Sequence, residues 1–94
     1  MQTVMNKDTV HEALGRAVEI VCAPESRGTE DLVNLMDTIA QNADGHDEIL
    51  RMVARMRGWN ALRRFSKFRD DSRKRFLMDA NLLSLYLDTE RDEG

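Results

Sequence analysis

Apolar residues recur every three or four positions along almost the whole chain, which is the period of an amphipathic α-helix. In the first such segment the apolar stripe includes Val10, Leu14 and Val21, while Glu12 and Arg16 fall on the opposite side. No stretch alternates apolar and polar residues as a half-buried strand would. The pattern predicts an all-α fold, a compact bundle of four to five short helices.

Breakers and capping residues divide the pattern into helices. Pro24 stops the first helix, because the residue before a proline is pushed out of the helical region. Asn6 or Asp8 caps its start, and a polar connector follows from Glu25 to Gly28. The predicted helices run from Asp8 to Cys22, from an N-cap at Thr29 to a stop over Asn42 to Gly45, from a cap at Asp47 to Gly58, from Asn60 to Phe68, and from about Arg73 to Asp88.

The segment Asp70 to Ser72 is either a break or the cap of the last helix; alternatively, one continuous helix runs from Asn60 onward.

A length of 94 residues fits a single domain over 1–94, with 1–6 and 89–94 expected to fray. The apolar runs are too short to cross a membrane, and no secretory signal is apparent. Because Cys22 has no cysteine to pair with, we expect a cytoplasmic protein.

The net charge of −3 hides a strong segregation of charge along the chain. Residues 1–50 carry 3 positive and 10 negative side chains, whereas residues 51–75 carry 10 positive and 2 negative ones. On the predicted short helix, Phe65 and Phe68 point inward and Arg63, Arg64 and Lys67 point to solvent. The candidate partner-binding residues are Arg55, Arg63, Arg64, Lys67, Arg69, Arg73 and Lys74.

Three interpretations of this basic segment remain open. Its cations pair with the acidic helices of the same chain, meet an acidic protein surface, or bind phosphates. Residues 49–68 have the outline of a helix-turn-helix around Gly58. However, Arg64 and Lys67 occupy positions that such a unit would make apolar, so a DNA-reading unit is the less favoured interpretation.

The last helix carries two apolar stripes. Phe76, Ala80, Leu83 and Leu87 form one stripe. The candidate apolar interface on the other side consists of Met78, Leu82, Leu85 and Tyr86. A helix that is apolar all round must be buried all round. Either this helix is the central rod of the bundle, or its second stripe meets another molecule, such as a second copy in a homodimer.

No pattern of catalytic residues stands out. His11 and His46 lie far apart in the sequence, Cys22 is close to neither, and no glycine-rich phosphate loop occurs. We therefore expect no enzyme activity, metal, cofactor or small-molecule substrate.

The sequence favours a small non-catalytic cytoplasmic protein that docks on another macromolecule, foremost a protein, and modulates or inhibits it. Adaptors, antitoxin-like proteins and phage-inhibitor-like proteins are analogous classes. The alternative is a nucleic-acid-binding protein, such as a DNA-binding regulator, that uses residues 51–75 as a monomer or a dimer.

Overall fold

The structure, a computed structural model, describes residues 6–23 and 28–91, with side chains as far as residue 89. Within these residues it contains four helices and no strand. The helices are α1 (Lys7–Cys22), α2 (Thr29–Asn42), α3 (Asp47–Leu62) and α4 (Arg69–Arg91). The predicted all-α bundle is therefore confirmed.

Each helix packs against two neighbours. α1 and α3 each contact both α2 and α4, so the four helices form a closed square. Short connections between successive helices make the neighbours antiparallel, as in an up-and-down bundle. Among the described residues, no helix combines the length and the apolar character needed to cross a bilayer.

One apolar stripe from each helix fills the core, as the helical period predicts. The buried residues are Val10, Ala13, Leu14, Ala17 and Val21 of α1, Leu32, Met36 and Ile39 of α2, Ala43 after it, Ile49, Val53 and Met56 of α3, and Phe76, Ala80, Leu83 and Leu87 of α4. On α4 this stripe is only one side of the helix, so the central-rod interpretation is wrong.

The ends of α1 lie close to the positions predicted from the sequence. Of the two candidate caps, the structure uses Asn6, whose Oδ1 accepts a hydrogen bond from the Thr9 N–H at 3.2 Å. The helix ends at Cys22, and Ala23 then takes an extended conformation with ψ 144°. Pro24 and the connector residues 25–27 lie outside the described residues.

The predicted caps of α2 and α3 are each displaced by one residue. Thr29 and Asp47 are the first helical residues, while Gly28 and His46 hold the cap positions. Gly28 has φ 77°, a left-handed conformation that L side chains rarely adopt. A Cβ there would also lie 2.7 Å from Ile20 Cγ2, so this position needs glycine.

The prediction that Gly58 ends the third helix is wrong. α3 continues through Gly58 to Leu62, because its buried stripe runs on past the glycine. Glycine in a helix costs only about 1 kcal/mol relative to alanine, which packing readily offsets. The predicted short helix does not form, since residues 63–68 are a turn, and the helix-turn-helix outline is therefore lost.

The start of the last helix also differs from the prediction. α4 begins at Arg69, four residues before the predicted start, and continues to Arg91, past the predicted end at Asp88. Asp70 and Asp71 occupy its first turn, where negative charge is favourable. A continuous helix from Asn60 is likewise wrong, because the turn separates α3 from α4.

Candidate functional site

The ten basic side chains of residues 51–75 do not form a single patch. Among the described residues, ion pairs form at four of them: Arg51 with Glu48 at 3.6 Å, Arg55 with Asp79 at 3.1 Å, Arg57 with Asp37 at 2.7 Å and Arg75 with Asp71 at 3.0 Å. All four guanidinium groups are well exposed, so each pair adds only about 0–1 kcal/mol to stability. Their effect is to neutralise part of the basic segment.

Asp79 joins α3 to α4, a role that was not predicted from the sequence. Its carboxylate is only 11% exposed, and it accepts hydrogen bonds from Arg55 Nη2 at 3.1 Å and from Trp59 Nε1 at 2.9 Å. The Arg75 guanidinium lies over the Trp59 ring, 5.3 Å from its centroid. Together with Met78 these residues line a shallow cavity of about 220 Å³. The sequence feature that could have indicated this role is the position of Asp79, an aspartate directly before Ala80 of the buried stripe of the last helix.

Arg63, predicted to face solvent, is buried with 1% of its surface exposed. The buried residues of α3 are spaced four and three apart, and this spacing carries on through Asn60 to Arg63. Arg63 Nε donates to Asn60 Oδ1 at 3.4 Å, and Asn60 Nδ2 donates to the Thr29 carbonyl at 3.4 Å. The expectation that Arg63 presents its charge to a partner is therefore wrong.

The buried guanidinium of Arg63 lies near two other cations, Arg69 and Arg73. Burial and then the nearby charges of Arg73 and Arg69 lower the pKa of Arg63. A guanidinium stays protonated at any physiological pH, so Arg63 is a fixed buried cation. Its contacts tie the end of α3 to the beginning of α2.

Arg69 and Arg73 bind helix ends. Arg69 Nε donates to the Arg63 carbonyl at 3.4 Å, and Arg73 Nη2 donates to the Ala23 carbonyl at 3.3 Å. These carbonyls belong to the residues that follow α3 and α1. Cations favour helix C-termini, so the two half-buried side chains stabilise the fold at this end of the bundle.

The turn between α3 and α4 exposes an aromatic and basic surface, which we call the turn patch: Leu62, Arg64, Phe65, Lys67 and Phe68. Phe65 and Phe68 were predicted to point inward, but they are 50% and 44% exposed. Arg64 lies 5.3 Å from the centroid of the Phe65 ring, and Lys67 Nζ lies 5.8 Å from that of Phe68. The patch thus combines two aromatic faces with two cations.

The backbone of the turn patch is held in place. The Phe65 N–H donates to the Leu62 carbonyl at 3.0 Å, and the Phe68 N–H donates to the Phe65 carbonyl at 2.9 Å. The Ser72 N–H then donates to the Phe68 carbonyl at 2.9 Å, which joins the turn to α4. The exposed rings are therefore presented from an ordered backbone.

The second apolar stripe of α4 is exposed. Met78, Leu82 and Leu85 are 65%, 48% and 56% exposed, and we call these three residues the α4 seam. Tyr86 differs from them, because it is partly buried and packs against the core. Lys74 is also exposed on α4 and makes no ion pair within the described part of the chain.

The remaining reactive side chains are dispersed. In the described ranges, 6–23 and 28–91, no group of three His, Cys, Asp or Glu residues is placed to hold a metal ion. His11 Nε2 lies 3.7 Å from Asp88 Oδ1, which links α1 to α4. Cys22 is an exposed free thiol at the end of α1.

Of the seven predicted partner-binding residues, the structure leaves Arg64, Lys67 and Lys74 exposed and without an ion pair in the described ranges. Arg64 and Lys67 come together in the turn patch, and Lys74 lies beside the α4 seam. The chain matched no family model, no curated protein and no solved structure.

Proposed function

We propose that this protein is a non-catalytic binding protein that docks through the turn patch on another protein and thereby modulates it. The observation that carries this proposal is the exposure of Phe65 and Phe68, at 50% and 44%, on a hydrogen-bonded turn. Neither ring belongs to the buried core. In the isolated chain, contact of these apolar rings with water is therefore unfavourable. A partner surface that covers them recovers this energy.

The chemistry of the turn patch defines the partner surface. Aromatic residues and arginine dominate the binding energy of protein interfaces, and burial of one Phe side chain contributes about 1.5–3 kcal/mol. Arg64 and Lys67 beside the rings favour acidic groups on the partner. We therefore propose a partner protein with an apolar groove bordered by Asp or Glu.

A protein partner is favoured over nucleic acid because few of the cations are exposed without a contact to another part of the described chain. Within the described ranges, four of the ten basic side chains in residues 51–75 pair with carboxylates, and Arg63, Arg69 and Arg73 are held at the end of the bundle. Proteins whose binding to duplex DNA depends steeply on salt make several phosphate contacts, about 6–10 in such cases. The turn patch provides two cations.

We further propose a cytoplasmic location. The support is the exposed thiol of Cys22, since free thiols persist in reducing compartments.

Capture from a lysate of the producing cells, followed by binding to the purified partner, tests the proposed function. The bait is the wild-type chain, Phe65→Ser with Phe68→Ser, or the control Val33→Ser, which changes an exposed residue of α2. We expect the aromatic double variant to weaken binding of the purified partner by about 100-fold or more, and the control to leave it unchanged. Equal binding by all three baits would refute the proposal.

The same variants test the nucleic-acid alternative. A mobility shift of DNA or RNA that weakens steeply with salt, and is abolished by Arg64→Glu with Lys67→Glu, would replace the protein partner with nucleic acid. We expect no shift at about 1 µM protein in moderate salt.

A further inference from the structure

We propose that two copies of the chain associate through α4, packed antiparallel along the α4 seam. This inference does not depend on the function of the turn patch. Met78, Leu82 and Leu85 are spaced four and three residues apart, which is the spacing of the seam of a coiled coil. They face away from the core stripe of Phe76 and Leu83, so a second helix can reach them without opening the bundle.

The flank of the seam determines the orientation. Lys74, Asn81 and Asp88 are exposed and lie seven residues apart, so they fall along one edge of the seam. A two-fold axis near Asn81 places Lys74 of each copy beside Asp88 of the other. A parallel pair would instead bring this edge against the opposite edge of the partner helix, so that Lys74 and Asp88 would not meet. Charge complementarity therefore selects the antiparallel arrangement.

The charged groups of Lys74 and Asp88 are both accessible for this pairing. Lys74 makes no ion pair among the described residues, and Asp88 is 59% exposed although it lies 3.7 Å from His11. The turn patch precedes α4, and Phe68 is ten residues from Met78, or about 15 Å along a helix. The seam can therefore bind a second copy while the turn patch stays accessible.

The expected dimer is weak. Three apolar side chains per copy bury less than the about 1,200 Å² that marks a standard interface, so we expect a dissociation constant of about 10–100 µM. Sedimentation velocity of the full chain over about 1 µM to 1 mM protein covers this range. A wild-type chain that remains monomeric throughout would overturn the proposal.

Substitutions locate the interface. Leu82→Glu is expected to weaken association by about tenfold or more, while the matched control Val33→Glu, at an exposed position of α2, leaves it unchanged. Both positions are exposed, so both variants should keep the circular dichroism of the wild type. Association that survives Leu82→Glu would show that another surface pairs, and would refute the seam.

A charge exchange tests the orientation independently of the apolar contact. Lys74→Asp and Asp88→Lys should each weaken the dimer, because each places like charges opposite one another. The double exchange, Lys74→Asp with Asp88→Lys, should restore association to near the wild-type value. Two single variants that associate as the wild type does, or a double variant that is not restored, would refute the antiparallel pairing.

Discussion

Replacing Asp79 by alanine is expected to lower the free energy of unfolding by about 2–3 kcal/mol, because its carboxylate joins α3 to α4 at two points. The bond from Trp59 Nε1, at 2.9 Å, goes to an ionised acceptor that is 11% exposed, and such bonds contribute about 1.5–3 kcal/mol. The bond from Arg55 adds less, about 0–1 kcal/mol, because the Arg55 side chain is 52% exposed. For a chain of this length the melting temperature should fall by roughly 10–20 °C.

Urea denaturation followed by circular dichroism measures this loss. The matched control is Asp71→Ala, which removes another aspartate of α4 that is paired with an arginine but is 67% exposed. We expect the control to lower the free energy of unfolding by about 1 kcal/mol or less. An equal loss in the two variants would show that the burial of Asp79 has no energetic consequence.

A double-mutant cycle isolates the bond to Trp59. Trp59→Phe keeps an aromatic ring beneath Arg75 but removes the indole N–H that Asp79 accepts. In the Trp59→Phe background, Asp79→Ala should cost about 1.5–3 kcal/mol less than in the wild type. Additive losses within about 0.3 kcal/mol would refute the hydrogen bond as the source of the stabilisation.

Three further substitutions test the fold. Gly58→Ala should raise the free energy of unfolding by about 0.5–1 kcal/mol in urea denaturation, because Gly58 is an exposed helical residue with no atom within 4 Å of an added Cβ; a loss would indicate that α3 ends there. Gly28→Ala should lower the melting temperature more than Gly45→Ala, because both residues have positive φ but only Gly28 also meets Ile20; equal changes in scanning calorimetry would contradict this clash. Arg63→Ala should lower the free energy of unfolding by about 2 kcal/mol or more, and Arg64→Ala by less than about 0.5 kcal/mol, in paired urea titrations; the reverse order would contradict the burial of Arg63.

The parts of the fold that sequence reasoning predicted depend on local periodicity. In α1, the stripe containing Val10, Leu14 and Val21 could be identified because each residue is a helical neighbour of the next. The choice of N-cap could be reduced to two candidates, Asn6 and Asp8, for the same reason, because a capping side chain bonds a backbone N–H only three residues ahead. These features need no knowledge of other helices.

The boundaries between α3 and α4 were wrong because tertiary packing overrides local preference. Gly58 has a poor helical propensity, but Met56 and Asn60 on either side of it both face the core and hold the helix together. Phe65 and Phe68 are apolar, and apolarity alone favours the interior. Their exposure follows from the turn at residues 63–68, which no periodicity in the sequence marks.

The candidate surface could be predicted only in part, because the sum of charges in a segment does not show where each charge points. Arg57 meets Asp37 of α2, and Arg55 meets Asp79 of α4, through contacts that exist only once the helices are assembled. Residue type also gave a wrong prediction at Arg63. An arginine is expected to be exposed, but the four-and-three spacing of α3 places this cation in a buried position. Since Arg64 and Lys67 are the cations of the turn patch, an interaction through that patch should respond to both and show the shallow salt dependence of about two contacts.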